Sequence, residues 1–278
     1  MAVIIAVVLA AIVAVVGLGA AVLDRRPPLT AEERALNMNR HLAIAGILAV
    51  VFTALSVLGT WAMSPFPTVG SPEAVFSDHA FRLMSYMGSP ILGLVLAGLV
   101  YSVLRFRSPG PGEDGPPIKG TGAVPKVWLG LTSALAVGVM IYPGLTGLAE
   151  MRRDRTFDMT VKVTGQRWSW NADYPQGFAS TELVLPVDQR VKFEVTAPDG
   201  DVLHSFWVPA FRMKIDAVPG MVTTTYITPN VLGDGQQDAS FRLQCAELCG
   251  LMHARMTMNV RVVSAAEYDQ WVAGKVKK

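Results

Sequence analysis

The chain has 278 residues, of which 51% are hydrophobic and only 17% charged, with a formal net charge of +2. That is too apolar and too sparsely charged for an ordinary water-soluble protein, and no basic stripe of the kind a nucleic-acid partner demands is present. The apolar residues are also concentrated. Stretches 1–23, 42–63, 83–104 and 127–149 hold no Asp, Glu, Lys or Arg, and about 20 apolar residues suffice to cross a bilayer's hydrocarbon core.

Each of these four stretches is predicted to be a transmembrane helix. The first lacks a basic n-region and charges follow it, so it reads as a retained span and not as a cleaved signal. Arg25, Arg26, Arg34 and Arg40 lie between the first and second stretches, and Arg105, Arg107, Lys119 and Lys126 between the third and fourth. The connection between the second and third has Arg82 alone. Positive loops stay on the cytoplasmic side, so the N-terminus and everything after the fourth span are expected outside. Residues 1–63 thus form one hairpin and 83–149 a second, whose Gly/Pro-rich loop 108–125 is expected to be irregular. Pro90 and Pro143 are expected to kink their helices, and His41 and His79 to sit at the membrane interface.

From residue 150 the texture changes. Residues 150–278 carry 15 Lys/Arg against 15 Asp/Glu and no long apolar run. "FDMTVKVTGQRWSW", "RVKFEVTAP", "MVTTTYIT", "SFRLQC" and "ARMTMNVRVV" alternate apolar with polar residues, the period of half-buried strands. Turn signals "APDGD", "AVPG" and "LGDG" separate them. Short strands so punctuated predict an antiparallel sandwich with Greek-key connections. The tail "SAAEYDQWVAGK" predicts a helix capped by Ser264, with Glu267 three residues on.

Cys245, Cys249, His253 and Met256, all soft or borderline metal ligands, fall within "CAELCGLMHARM", residues 245–256. In the soluble part the one further histidine is His204, in "DVLHSFWVPAF". A Cys245–Cys249 disulfide would leave both histidines and the methionine unexplained. Structural zinc would take Cys2His2, but the usual C-x-x-C spacing is absent and methionine is a poor zinc ligand. Copper suits thiolate, imidazole and thioether together. A mononuclear electron-transfer copper needs a single thiolate, so the second cysteine favours a dinuclear site.

These segments, with "KIDAVPGM", "VTGQRWSWNADYP" and the hairpin loop "LRFRSPGPGEDGPP", resemble cytochrome c oxidase subunit II over roughly residues 83–278. The resemblance implies a cupredoxin sandwich behind membrane helices, in the inner membrane of a bacterium with the sandwich on the periplasmic side. It implies two copper ions bridged by Cys245 and Cys249. His204 and His253 would each bind one copper, with Met256 and the Glu247 backbone carbonyl as weak ligands. The Glu247 carboxylate would face a magnesium ion shared with oxidase subunit I. The implied activity is to accept electrons from cytochrome c through Trp168 and pass them to haem in subunit I, where oxygen is reduced to water with proton pumping. Asp173, Asp188 and Asp201 match positions where relatives often place acids that dock the donor. Trp168 and Trp170, two residues apart, are expected on one face of a single strand.

Three features depart from the family pattern. The hairpin 1–63 is additional and is expected to dock another membrane subunit or respiratory complex. "VPKVW" offers Pro125 and Lys126 where many relatives carry a glutamate at a proton path. No C-x-x-C-H motif is present, so no haem is expected in this chain and the donor should be a separate protein. A copper-site subunit of a nitric oxide reductase and a membrane-anchored copper carrier stand as alternatives.

Overall fold

The structure is a computed structural model that describes residues 31–62, 66–106, 122–153 and 156–277. The expected span 1–23 and most of loop 108–125 lie outside the described residues. The chain divides into two compact units, one of residues 1–65 and 81–142, the other of residues 66–80 and 143–278.

The first unit is helical. Helices α1 (Ala31–Ala62) and α2 (Pro72–Phe106) are followed by α3 (Ala123–Val139). Segments Asn39–Ala62, Pro72–Arg105 and Pro125–Glu150 are long and apolar enough to cross a membrane. Leu42, Ile47, Val50 and Trp61 of α1 point outward, as suits an apolar solvent. Between α1 and α2 the buried contact is Leu48 and Phe52 against Ala97 and Tyr101. At Gly93 the helices approach so closely that a Cβ would stand 2.7 Å from the Ala49 carbonyl. Small residues of this kind let membrane helices pack backbone to backbone. The hydroxyls of Ser56 and Ser89 hydrogen-bond across the seam at 2.9 Å. His41 is not merely interfacial, because its Nδ1 hydrogen-bonds the Tyr101 hydroxyl.

The fourth apolar stretch is interrupted. After α3, the segment Met140–Leu145 leaves helical geometry at Tyr142 (φ −136°, ψ 119°) before α4 (Thr146–Arg153) resumes. Proline disfavours the helical region for the residue before it, so the break falls at Tyr142, ahead of Pro143.

The second unit is a two-sheet sandwich. Its strands are β1 (Met159–Gln166), β2 (Ser169–Asp173), β3 (Ala179–Ser180), β4 (Glu182–Pro186), β5 (Val191–Thr196), β6 (His204–Val208), β7 (Met213–Ala217), β8 (Thr223–Ile227), β9 (Gly233–Asp234), β10 (Arg242–Cys245) and β11 (Thr257–Val263). One sheet runs β3-β2-β1-β5-β8, the other β4-β11-β10-β6-β7 with β9 also on β11. The pairs β1–β5 and β4–β11 are parallel, so the sandwich is mixed and not purely antiparallel. Val161 and Val163 of β1, Phe193 and Val195 of β5, and Leu243, Met258 and Val260 of the facing sheet are buried together. The Tyr174 hydroxyl ties β2 to β4, accepting from Val184 N (2.7 Å) and donating to Val184 O (3.0 Å).

Two local expectations need correction. "FDMTVKVTGQRWSW" is a hairpin and not one strand: the chain reverses at Arg167–Trp168, with Gln166 paired to Ser169. Trp168 sits in the turn and Trp170 is buried in β2, so they do not share a strand face. Neither turn residue is a Gly, Asn, Asp or Pro, so the reversal leaves no mark in the sequence. The final helix α5 (Ala265–Val276) is capped as expected, Ser264 Oγ accepting from Glu267 N at 3.3 Å. The Glu267 carboxylate, however, pairs with Arg261 and does not close a capping box.

The stretch Phe66–Ala80 belongs to the sandwich unit. Gly70 N donates to Ala210 O (2.9 Å), and Asn230 N donates to Gly70 O (3.0 Å). Arg212 holds Asp78 through Nε and Nη2 (2.7 and 2.9 Å) and donates to the carbonyls of Pro67, Thr68 and Pro209.

Candidate metal centre

The sulfur and histidine side chains converge because β6 and β10 are neighbours. Their antiparallel pairing sets Cys245 opposite Phe206, and Ala246 N donates to Ser205 O at 3.0 Å. His204 at the start of β6 therefore lies beside Cys245 at the end of β10. The chain between Cys245 and Met256 then folds back on itself. His253 N donates to Gly250 O, Met256 N to His253 O and Cys245 N to Met256 O, each at 3.1 Å. His253 is presented on a single 3-10 turn, His253–Arg255.

The donor atoms form two halves. Cys245 Sγ stands 3.9 Å from His204 Nδ1 and 3.1 Å from the Glu247 carbonyl oxygen. Cys249 Sγ stands 3.6 Å from His253 Nδ1 and 3.7 Å from Met256 Sδ. The two sulfurs are 3.8 Å apart, whereas a disulfide bond measures about 2.05 Å. Bonds of about 2.3 Å to sulfur and 2.0 Å to nitrogen at tetrahedral angles would space neighbouring ligands roughly 3.5–3.8 Å apart. The site fits metal by that measure. His204, Cys245, Cys249 and Met256 are all buried. Burial, and then the neighbouring Cys245, push the Cys249 thiol up to about 11, so without metal it holds its proton.

Residues 178–263 match the family described as "Cytochrome C oxidase subunit II, periplasmic domain". A Rickettsia bellii protein described as "Probable cytochrome c oxidase subunit 2" is 30% identical over 245 residues, covering 78% of this chain and 85% of that one. The chain belongs to the cytochrome c oxidase subunit II family. An Alkalihalophilus pseudofirmus "Cytochrome c oxidase subunit 2" is 34% identical over 203 residues, 69% of this chain, which thus spans 56% of that relative's length. A solved periplasmic domain of subunit II from Bradyrhizobium japonicum is 34% identical over 44% of this chain and 96% of its own, with a TM-score of 0.40. Copper and electron transport follow from the family.

The structure distributes the other expected residues unevenly. Trp168 is half-buried over the ligand loop, its Nε1 donating to Cys249 O at 3.0 Å. Gly250 (φ +110°) lies under the same ring, and a Cβ there would meet the indole at 3.4 Å. Glu247 is exposed. Asp201 is not an available surface acid: its side chain is 7% exposed and paired with Arg167 Nε at 2.5 Å. Burial alone would raise its carboxyl, but hydrogen bonds from the Arg167 and Val202 amides and the Arg167 guanidinium hold it down at about 2. Asp173 and Asp188 do not surround Trp168. Asp173 pairs with Lys162, about 13 Å along β1 from the turn. Asp188 precedes Val191, which pairs with Met159, about 23 Å away at the far end of β1. The Trp168 ring covers the Cys249–Gly250 segment, and the leucines on either side of that segment in the chain, Leu248 and Leu251, are 79% and 93% exposed. Composition and spacing give no warning of the Arg167–Asp201 pair, because its members are 34 residues apart.

Proposed function

We propose that this chain is the electron-accepting subunit of a respiratory terminal oxidase, taking electrons from a separate cytochrome c and delivering them to haem in subunit I. There oxygen is reduced to water with proton pumping. The observation that carries the reading is the division of the donor set into two halves that share a pair of thiols. Cys245, Cys249, His204, His253, Met256 and the Glu247 carbonyl would hold two copper ions. When bound, the copper pair supplies a one-electron carrier. The chain's own residues do the rest. Burial of the thiols and His204 excludes water, and the hydrogen-bonded loop holds the donors in place, so little rearrangement accompanies a change of charge.

Trp168 is the electron-input residue in this reading, since its indole links the surface to the Cys249 peptide through one hydrogen bond. The donor docks on the apolar rim of Leu248 and Leu251. The exposed Glu247 carboxylate is the group that would hold magnesium against subunit I. In this reading the sandwich lies on the periplasmic side of a bacterial inner membrane, which the basic residues between the first two and the last two apolar stretches support. The hairpin 1–63 docks a further membrane subunit or complex. Oxygen uptake by the purified complex with reduced cytochrome c tests the reading: wild type should respire and Cys249→Ser should not. Equal rates in the two would overturn it.

A further inference from the structure

We infer that Asp201 is a positioning residue for the metal-site histidine His204, and that through Arg167 it ties that histidine to the turn carrying Trp168. The inference rests on the metal reading above and deepens it. His204 turns Nδ1 toward the Cys245 sulfur (3.9 Å), so a metal held there would take Nδ1 and leave the proton on Nε2. Nε2 is buried in a fully buried residue and has no hydrogen-bond partner. A buried N–H left without an acceptor is costly. The carboxylate facing it is Asp201, with Oδ2 at 3.6 Å from Nε2. That distance is longer than a hydrogen bond, but polar contacts at functional sites are often long in the empty state and tighten on loading.

Asp201 is itself fixed. Oδ2 accepts from Arg167 N (3.0 Å), and Oδ1 accepts from Arg167 Nε (2.5 Å) and Val202 N (2.8 Å). The carboxylate therefore clamps the first residue of the Arg167–Trp168 turn while facing the imidazole. The Trp170 ring also meets His204 edge-on at 6.1 Å. The imidazole thus meets both a ring and a carboxylate, and an outer acid so placed sets the tautomer and orientation of a metal-binding histidine. Arg167 neutralises the acid, so the pair carries no net charge to the surface.

The test uses the full chain in detergent with nitrogen-labelled histidine. Only four histidines contribute, and single His→Gln variants assign them. In the metal-free wild type His204 should appear as one Nε2–H tautomer, and Asp201→Ala should convert it to a mixture while the His253 signals stay in place. Should that variant fail to fold, Asp201→Asn gives the same readout with the shape kept. Loaded with copper and titrated with a chelator, the variant should bind about 10–100-fold more weakly than wild type. An unchanged His204 tautomer, or copper affinity equal to wild type, would overturn the positioning role. A wild type that binds no copper would overturn the metal reading instead, and the tautomer arm would still decide whether Asp201 sets His204.

Discussion

Trp168 stands where surface and ligand loop meet, and the chemistry of that one side chain can be separated from metal holding. It touches the loop through a peptide carbonyl and supplies no donor atom itself. Trp168→Ala should leave the copper spectrum intact and slow cytochrome c oxidation. Truncating a buried hot-spot tryptophan costs about 2 kcal/mol or more, which is roughly thirtyfold. The rate should vary little with salt, because the exposed Leu248 and Leu251 bracket the Cys249–Gly250 segment against the indole and the Arg167–Asp201 pair is neutral. Stopped-flow oxidation at two ionic strengths checks both points, and an unchanged rate in the variant would move the input site elsewhere. The side chains that the structure brings together were legible in the sequence as candidates, since Cys245, Cys249, His253 and Met256 share one short loop and the soluble part has one other histidine; Met252 shares that loop too, so the choice of Met256 rested on the family resemblance. What supports them was not. Asp201 reads as a surface acid until the fold brings Arg167 against it, and Trp168 reads as a strand residue until the hairpin turns beneath it.

At the scale of elements, the stretch Phe66–Ala80 is the feature that the sequence hid most completely. It carries no strand pattern and lies beside the membrane segments, yet it holds the sandwich through paired backbone bonds and Arg212. Its polar contacts include Thr68 Oγ1, which donates to Asp238 Oδ2 at 2.5 Å. That bond, with those from Ser240, holds the Asp238 carboxyl below its usual value. A depressed folded-state value stabilises the fold above the unfolded value of about 3.9 and ceases to do so as pH falls through the folded value. Thr68→Val should therefore cost up to about 1 kcal/mol at neutral pH, an exposed contact being worth no more. The penalty should shrink as pH falls below about 4. Chemical denaturation of the two proteins at several pH values measures this, and a penalty independent of pH would contradict the assignment. Strand existence was easier to read than strand limits: β5, β10 and β11 follow their alternation, whereas β4 buries Leu183, Val184 and Leu185 in succession and shows none.

At the scale of the whole molecule, two kinds of solvent explain most of the chain. Among the described residues, the uncharged runs became helices with outward apolar faces, and mixed sequence became a sandwich with a buried core. The packing of α1 on α2 is specific, through Gly93, Ser56–Ser89 and His41–Tyr101, and no hydropathy plot contains that information. The central claim is that this sandwich holds a copper pair between two thiols. The direct measurement is metal content of the purified full chain together with its electron paramagnetic resonance spectrum. Two coppers per chain, with one unpaired electron split equally by both nuclei, is the predicted result. One zinc per chain, or a copper signal confined to a single nucleus, would contradict it.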